Sequence, residues 1–326
     1  MTPFDIQKTS DETVLFSQLY QNITFYPYAR FALYEYLKSI EAKSIYLPEF
    51  ICSDVLEPIN AIGIDVSYYE VNEDLTPGKL SQCCDAILMV NYFGFEQDIT
   101  PFSQYKKQFG AVLIEDNAHG LFSRDRYGNL LGGRGDAGLL SLRKTLSLPN
   151  GAALILKNGI KVSASQVATS LDDHRHARKD KFRQRLPSPI LGIAAFLFKQ
   201  WLSKLRKNSQ ASNLDANAFS QQEYLSPMLE QGDTNVDIEA EITRRIGMYK
   251  LLTKIAEKYG VTPIYSFYDG VVPYLFAYID RSDDNRFSRA ILSKGFFTLS
   301  WPDLPPQVSV KDKTFYNKVK VVPFLW

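Results

Sequence analysis

Apolar positions along residues 29–157 repeat with two periods, one typical of helices and one typical of strands. Residues 29–40 place apolar side chains at helical spacing, and 53–63 and 98–109 are further predicted helices. Short apolar runs predict strands at 44–47, 64–71, 86–92, 111–115, 137–142 and 152–157. Strands that alternate with helices predict an α/β fold with a mostly parallel, doubly wound sheet.

The pattern changes after residue 158. Residues 162–185 are polar and predicted helical, and 208–235 are rich in Ser, Asn and Gln, which favours a loop. An amphipathic helix at 238–259, a strand at 271–279, a helix at 285–294 and a strand at 296–299 predict a smaller α+β domain. We therefore predict a large domain over 1–165, a helical connection and polar loop over 166–235, and a small C-terminal domain over 236–326.

Composition and charge are those of an ordinary globular protein. Of the 326 residues, 45% are hydrophobic and 22% are charged, and the net charge of +1 gives no basic excess of the kind that nucleic-acid binders show. The N-terminus lacks the pattern of a signal peptide, so we expect a cytoplasmic protein. Cys52, Cys83 and Cys84 have no metal-type spacing, and we expect all three to be reduced and mostly buried.

One apolar segment complicates the expectation of an ordinary cytoplasmic protein. Residues 189–201 read PILGIAAFLFKQW, followed by basic residues within 204–207. The run is too short to span a bilayer. We expect a helix that is buried or packed on a partner, and a helix at a membrane surface is the alternative.

Two residues at predicted strand ends carry candidate chemistry. Asp116 ends the strand 111–115, and Lys144 directly follows the strand 137–142. Ligands bind at the carboxyl ends of strands in such sheets. Pyridoxal phosphate needs a lysine amine for a Schiff base and a carboxylate that keeps the ring nitrogen protonated. A turn role for Asp116 and a solvated surface role for Lys144 are the alternatives.

Nearby polar residues extend this candidate site. Ser141 lies three residues before the lysine, where its hydroxyl would meet the phosphate. His119 lies three residues after Asp116, where it would stack on or hydrogen-bond to the cofactor ring, and an ordinary buried histidine is the alternative. His174 and His176 face different sides of a predicted helix and make a poor metal pair, so we expect them to be solvated.

Several motifs between residues 28 and 158 resemble the DegT/DnrJ/EryC1/StrS sugar aminotransferases, a group within fold type I of the pyridoxal phosphate enzymes. They are Ile45-Tyr46-Leu47-Pro48-Glu49-Phe50, Val90-Asn91-Tyr92-Phe93-Gly94 with Asp98, Ile114-Glu115-Asp116-Asn117-Ala118-His119, Gly135-Asp136-Ala137-Gly138 with Leu140-Ser141-Leu142, and Gly151-Ala152-Ala153. Arg244-Arg245, Gly295 and Trp301-Pro302 resemble the group more faintly.

The resemblance implies roles for these residues and a reaction. Asp116 would pair with the ring nitrogen, Ser141 would bind the phosphate and Lys144 would form the Schiff base. The fold would have a sheet of the seven-stranded type, and the active sites would lie at the interface of a homodimer. A nucleotide-linked keto sugar would accept an amino group from an amino acid such as glutamate, for polysaccharide or glycoside biosynthesis.

The chain departs from the family pattern at three places. The family lysine usually stands five residues after the serine, where this chain has Leu146, and Lys144 has instead the spacing of other fold type I aminotransferases. The family's Gly-Thr pair at the first helix is Ala29-Arg30, and Arg30 and Arg143 would supply charge to the phosphate instead. Cys52 stands where the family often has an aromatic ring over the cofactor.

Two other functions stay open at this point. One is a pyridoxal phosphate-dependent sugar dehydratase, suggested by His119 because some dehydratases of the family use histidine in place of the catalytic lysine. The other is a non-catalytic relative that acts as a partner in polysaccharide assembly and docks through residues 189–201.

Overall fold

A computed structural model of the protein describes residues 14–146, 148, 150–157, 233–234, 237–281, 285–308 and 315–324. The predicted helix at 162–185 with His174 and His176, the segment 189–201 with its basic residues, and almost all of the predicted loop 208–235 lie outside this part of the chain. The predicted division into 1–165, 166–235 and 236–326 therefore stays a prediction.

The described elements follow the predicted alternation of helices and strands. In chain order they are β1 (Val14–Leu15), α1 (Phe16–Leu19), β2 (Ile23–Tyr26), α2 (Ala29–Ser39), β3 (Ser44–Pro48), a 3₁₀ turn (Ser53–Val55), α3 (Leu56–Ile62), β4 (Asp65–Tyr69), β5 (Ala86–Val90), a 3₁₀ turn (Tyr92–Gly94), α4 (Thr100–Phe109), β6 (Val112–Asn117), β7 (Ala137–Leu140), α5 (Leu142–Thr145), β8 (Ala152–Leu156), β9 (Asp233–Thr234), α6 (Ile238–Glu257), β10 (Leu275–Ile279), α7 (Arg286–Leu292), β11 (Leu299–Ser300), a 3₁₀ turn (Tyr316–Lys318) and β12 (Val319–Pro323).

A seven-stranded sheet forms the centre of the molecule. Its strand order is β2-β8-β7-β6-β5-β3-β4, and the five strands from β7 to β4 are parallel. Strand β8 runs antiparallel to β7, and β2 runs antiparallel to β8. The short link through α5 explains the reversal at β8, because a parallel crossover needs a dozen or more residues, usually with a full helix. The predicted mostly parallel sheet is confirmed.

The central strands are apolar because the sheet is covered on both faces. All five residues of β5 are buried, and so are all four of β7 and all five of β8. Helix α2 turns Ala32, Leu33, Tyr36 and Leu37 into the same core. Parallel strands packed in this way read as continuous apolar runs, which is why the pattern revealed them.

A smaller sheet stands beside the large one. It has the order β10-β12-β11 and is antiparallel throughout, and the side chain of Phe287 from helix α7 packs on the rings of Phe276 and Tyr278 in β10. The Tyr316 hydroxyl donates to the Glu49 carboxylate (2.9 Å) and accepts from the backbone N–H of Val71 (3.2 Å), which ties this region to the large sheet. Strands β2 and β12 were not predicted.

Two further expectations concern exposure. Cys84 is buried and Cys52 is half-buried, but Cys83 is exposed, so the expectation that the cysteines are mostly buried is wrong for Cys83. No helix within the described ranges has the length and apolar character needed to cross a membrane.

Candidate active site

The carboxyl ends of β5, β6 and β7 bring the predicted residues to one edge of the sheet. Asp116 is the second-last residue of β6, Asn91 follows β5 and Ser141 follows β7. The backbone C=O of Asp116 accepts from the N–H of Asn91 (3.0 Å), which fixes these ends side by side. The Asp116 carboxylate is half-buried and its Oδ1 accepts from the backbone N–H of Ala118 (2.9 Å). Burial raises the pKa of Asp116, while the charge of nearby Lys144 opposes that rise.

Lys144 projects from the short helix α5 into the same region. Its Nζ lies 3.2 Å from Nε2 of His119. Burial lowers the pKa of Lys144, the charge of Asp116 opposes this and the charge of Arg143 adds to it. The structure therefore brings together Lys144, His119 and Asp116, which the sequence predicted separately.

His119 lies between two aromatic rings. Phe93 stacks on one face at a centroid distance of 6.0 Å, and Tyr274 stacks on the other at 4.6 Å with an interplanar angle of 7°. Trp301 meets the imidazole edge-on at 5.6 Å. Both faces of the imidazole are therefore covered, and stacking on a cofactor ring, one of the two roles predicted for His119, does not fit this arrangement. Its two nitrogens remain for hydrogen bonds.

A strained turn after β5 allows this aromatic arrangement. Phe93 is left-handed, with φ of 58°, and Gly94 follows with φ of 96°. A Cβ at Gly94 would lie 2.5 Å from the backbone oxygen of Val272, so glycine is required for the segment before β10 to pass this closely. The C=O of Phe93 accepts from the N–H of Tyr274 (2.8 Å), which holds that tyrosine over the imidazole. Neither Phe93 nor Tyr274 was predicted to have this role.

Arg245 connects helix α6 to the lysine. Its guanidinium is 1% exposed and its Nη2 donates to the backbone oxygens of Lys144 and Thr145, both at 3.3 Å. Nη1 donates to the backbone oxygen of Tyr274 (3.0 Å), and Nε pairs with Glu241 at 2.7 Å. One buried arginine thus fixes the lysine turn and the tyrosine relative to each other. The sequence offered only its place on an amphipathic helix as a signal.

A second buried ion pair lies directly beside Asp116. Glu115 is 0% exposed, and its carboxylate accepts from Nε and from the backbone N–H of Arg134, both at 2.8 Å. The Asn91 side-chain amide donates to the same carboxylate (2.8 Å) and accepts from Nη2 of Arg134 (3.0 Å). This cluster joins the ends of β5 and β6 to the loop before β7. Its signal in the sequence was a glutamate next to Asp116 at the end of an apolar strand.

The predicted phosphate residues lie around Tyr28. Arg30 and Arg143 place their guanidinium carbons 4.8 Å and 5.1 Å from the centre of its ring, and Arg30 also pairs with Glu57 at 3.5 Å. Ala29 is the first residue of α2, directly after Tyr28. Ser141 is 3% exposed, and its hydroxyl makes no hydrogen bond to any residue in the described part of the chain. Tyr28 therefore links the start of α2 to the helix that carries the lysine.

Comparison with known proteins supports the motifs. The sequence model of the DegT/DnrJ/EryC1/StrS aminotransferase family matches residues 57–194, which include Asp116, Ser141 and Lys144. Over that range the chain resembles this family. No curated protein sequence matches it.

Solved structures of this family share the fold. The aminotransferase TlmJ from Streptoalloteichus hindustanus aligns with a TM-score of 0.60 at 14% identity, over 93% of this chain and 80% of its own. Helicobacter pylori PseC, an aminotransferase involved in pseudoaminic acid biosynthesis, aligns at 0.59 and 12% identity, over 94% of this chain and 83% of its own. The E. coli GDP-4-keto-6-deoxy-D-mannose-3-dehydratase with bound hydrated PLP aligns at 0.58 and 12%, over 94% and 85%. At these identities the likeness establishes the fold, and fold type I is confirmed.

A lysine lies beside His119 and near Asp116, although its position in the sequence is shifted from the one usual in the family. Leu146, at the usual family position, is fully buried in an apolar cluster and offers no amine. Cys52 and Asp54 lie near enough to Lys144 for their negative charges to raise its pKa, against the effect of burial. Cys52 thus lies near Lys144, its place over the cofactor stays a prediction, and Asp54 is an addition that the sequence did not reveal.

Proposed function

We propose that the protein is a pyridoxal phosphate-dependent aminotransferase that moves an amino group from an amino acid such as glutamate to a nucleotide-linked keto sugar. One observation supports this most directly. A lysine amine and an aspartate carboxylate lie near enough to influence each other's pKa at the carboxyl edge of a parallel sheet, within the residues that the family model matches. Fold alone would not justify an activity, so these side chains carry the proposal.

The residues present fit pyridoxal phosphate. Burial raises the pKa of the Asp116 carboxylate, and no cation lies within 4.0 Å of it in the described part of the chain; a protonated ring nitrogen would supply such a partner. The buried hydroxyl of Ser141 and the guanidinium of Arg143 are suitable donors for a phosphate. Lys144 supplies the primary amine.

The chemistry divides between the cofactor and the protein. Pyridoxal phosphate, when bound, supplies an electron sink for the negative charge left when a proton departs from the carbon beside the amine. Lys144 is the group that takes up and returns that proton at Nζ, and its lowered pKa suits a base that works near neutral pH. Asp116 holds the ring nitrogen in its protonated form. Phe93, Tyr274 and Trp301 exclude water from the side of the site occupied by His119.

The choice of substrate class rests on the family. PseC is involved in pseudoaminic acid biosynthesis, and the E. coli dehydratase acts on a GDP-linked keto sugar, according to their names. We extend that class to this chain and propose that the product is an amino sugar for a polysaccharide or glycoside. We further propose a cytoplasmic homodimer with active sites at its interface.

A sugar dehydratase is the second candidate, favoured by one observation. His119 contacts Lys144, so a histidine and a lysine share the site, and dehydratases are among the similar structures. The two reactions differ in the fate of the amino group, since only a transaminase leaves the donor's nitrogen on the sugar product.

Absorbance spectroscopy of purified protein tests the proposal. With added pyridoxal phosphate, the wild-type protein and a Lys107→Ala variant, changed at an exposed lysine of α4, are expected to gain a visible band that glutamate converts to the amine form of the cofactor. Lys144→Ala is expected to lose the covalent band while keeping its fold by circular dichroism. Deoxygenation of a keto sugar, with the donor's nitrogen released and absent from the sugar product, would favour the dehydratase, because a similar dehydratase structure also holds a PLP-glutamate adduct and conversion by glutamate alone does not separate the two reactions. A protein that never binds the cofactor would overturn both and favour the non-catalytic partner.

A further inference from the structure

The amine of Lys144 has no carboxylate in contact with it in the described part of the chain. Within the described ranges no acidic oxygen lies within 4.0 Å of its Nζ, whereas the other buried basic groups, Arg134 and Arg245, are each paired with a glutamate at 2.7–2.8 Å. The polar atom in contact with Nζ is Nε2 of His119. A buried ammonium in such surroundings is costly, and a neutral amine is favoured.

The surroundings of His119 decide which of its nitrogens carries the proton. The backbone N–H of Phe93 points at Nδ1 at 3.4 Å, so Nδ1 acts as an acceptor. Burial is the largest cause that holds the pKa of His119 well below its usual range, and it acts whether or not Lys144 is charged, which leaves the ring neutral. A neutral imidazole has one N–H, and with Nδ1 accepting, that N–H must be on Nε2. Nε2 therefore faces Lys144 as a donor.

We propose that His119 is a positioning residue that donates a hydrogen bond from Nε2 to the lone pair of Lys144 Nζ, and so favours the uncharged, nucleophilic form of this lysine. The stacked rings of Phe93 and Tyr274 prevent the imidazole from turning away. The inference concerns the chain without its cofactor and stands apart from the reaction that the site performs.

Other charged groups act on the pair from the neighbouring elements. Asp116 on β6, and Cys52 and Asp54 before α3, favour the charged form of Lys144, while Arg143 on its own helix opposes it. On the Tyr274 side, burial raises the pKa of Tyr274, and the charges of Arg245 and Arg143 oppose that rise. Arg143 thus acts with the imidazole donor to favour the neutral amine of Lys144, and the three acidic groups favour its charged form.

Chemical labelling across pH tests the proposal. The full-length protein is first freed of any cofactor with hydroxylamine and then trace-labelled with acetic anhydride from about pH 6 to about pH 11, a range that includes the ordinary lysine pKa. Mass spectrometry gives the labelling midpoint of Lys144 in folded protein and in the same protein unfolded in urea. We expect the folded midpoint to lie at lower pH than the unfolded one.

His119→Phe separates the hydrogen bond from burial. Phenylalanine keeps a flat ring between Phe93 and Tyr274 but has no donor, so the midpoint of Lys144 is expected to rise by about one pH unit. His119→Gln, which offers a carbonyl oxygen to an ammonium, is expected to raise it too, and this polar variant keeps the test available if the Phe variant fails to fold. An unchanged or lower midpoint in either folded variant would mean that burial alone sets the state of the lysine, and would overturn the proposal.

The result is independent of catalysis. A protein that never binds pyridoxal phosphate still reports its labelling midpoint, so a failed aminotransferase assay and a failed role for His119 give different results.

Discussion

Glu115 and Asp116 are neighbours on one strand, yet the fold treats their carboxylates in opposite ways. Glu115 is fully buried and accepts hydrogen bonds from Arg134 and Asn91. Asp116, whose side chain points to the opposite face, accepts a single backbone hydrogen bond from Ala118 and has a raised pKa. A buried charge with all its partners joins elements of the fold. A buried charge with partners missing is typical of a site that receives them from a ligand.

The same contrast separates the buried basic residues. Arg245 is paired with Glu241 and donates to four backbone oxygens, two of them on the lysine turn. In the described part of the chain, the side chain in hydrogen-bonding contact with the Lys144 amine is the imidazole of His119. The charged residues that have their hydrogen-bond partners hold in place those that lack them, which is how a preorganised site is supported.

Disrupting the buried cluster of Glu115, Arg134 and Asn91 should have the largest effect on stability. Arg134→Met leaves Glu115 buried without its cation, and the free energy of unfolding is expected to fall by about 3–5 kcal/mol. Arg126→Met is a matched control, because Arg126 is 70% exposed and its pair with Glu96 is expected to contribute less than about 1 kcal/mol. Urea denaturation gives both values. Equal losses in the two variants would contradict the role assigned to the cluster.

Arg245→Met should have the next largest effect. The loss of a buried ion pair and its hydrogen bonds is expected to cost about 1–3 kcal/mol, since Glu241 is partly exposed and keeps Arg244 as a partner. The lysine turn should also loosen, and its amides should exchange with solvent faster in hydrogen–deuterium exchange. Arg244→Met, on the same helix but about a third exposed, is the control. Unchanged exchange around residue 144 would show that Arg245 does not hold the turn.

His119 gives a smaller, pH-dependent effect. Its folded pKa is depressed, so below the unfolded value of about 6.5 the unfolded chain binds a proton that the folded chain does not. Stability is therefore present at neutral pH and is lost as pH falls below about 6.5, by at most about 1.4 kcal/mol per pH unit.

Comparison of wild type with His119→Phe isolates this contribution, because the other two histidines remain in both proteins. The difference between their free energies of unfolding should change between about pH 7 and about pH 5. Parallel curves over that range would mean that His119 is not held neutral.

The smallest effect on stability is expected at Asp116. Asp116→Asn removes a carboxylate that burial disfavours, so the free energy of unfolding at neutral pH should change by less than about 1 kcal/mol and in the stabilising direction. The same substitution should weaken the retention of pyridoxal phosphate, measured by absorbance after gel filtration. Strong destabilisation with unchanged cofactor retention would make Asp116 a structural residue like Glu115.

The sequence predicted those parts of the site that depend on local pattern. Asp116 and Lys144 stand where apolar strands end, and strand order places such ends at one edge. Tyr274 and Arg245 could not be found in this way, because their roles depend on contacts with residues more than 90 positions away.

Local conformation limited the rest of the prediction. The orientation of His119 depends on the left-handed backbone of Phe93, which no period of apolar residues encodes. Strand β2 and strand β12 are short, and their partners β8 and β10 are distant in sequence, so their pairing follows from tertiary packing rather than from pattern.

The proposed function depends on Lys144 as the residue that would bond to the cofactor. Borohydride reduction of the protein loaded with pyridoxal phosphate, followed by peptide mass mapping, tests this most directly. The account predicts a phosphopyridoxyl group on Lys144 in the wild type and none at that position in Lys144→Ala. A stoichiometric adduct on another lysine, with Lys144 unmodified, would contradict it.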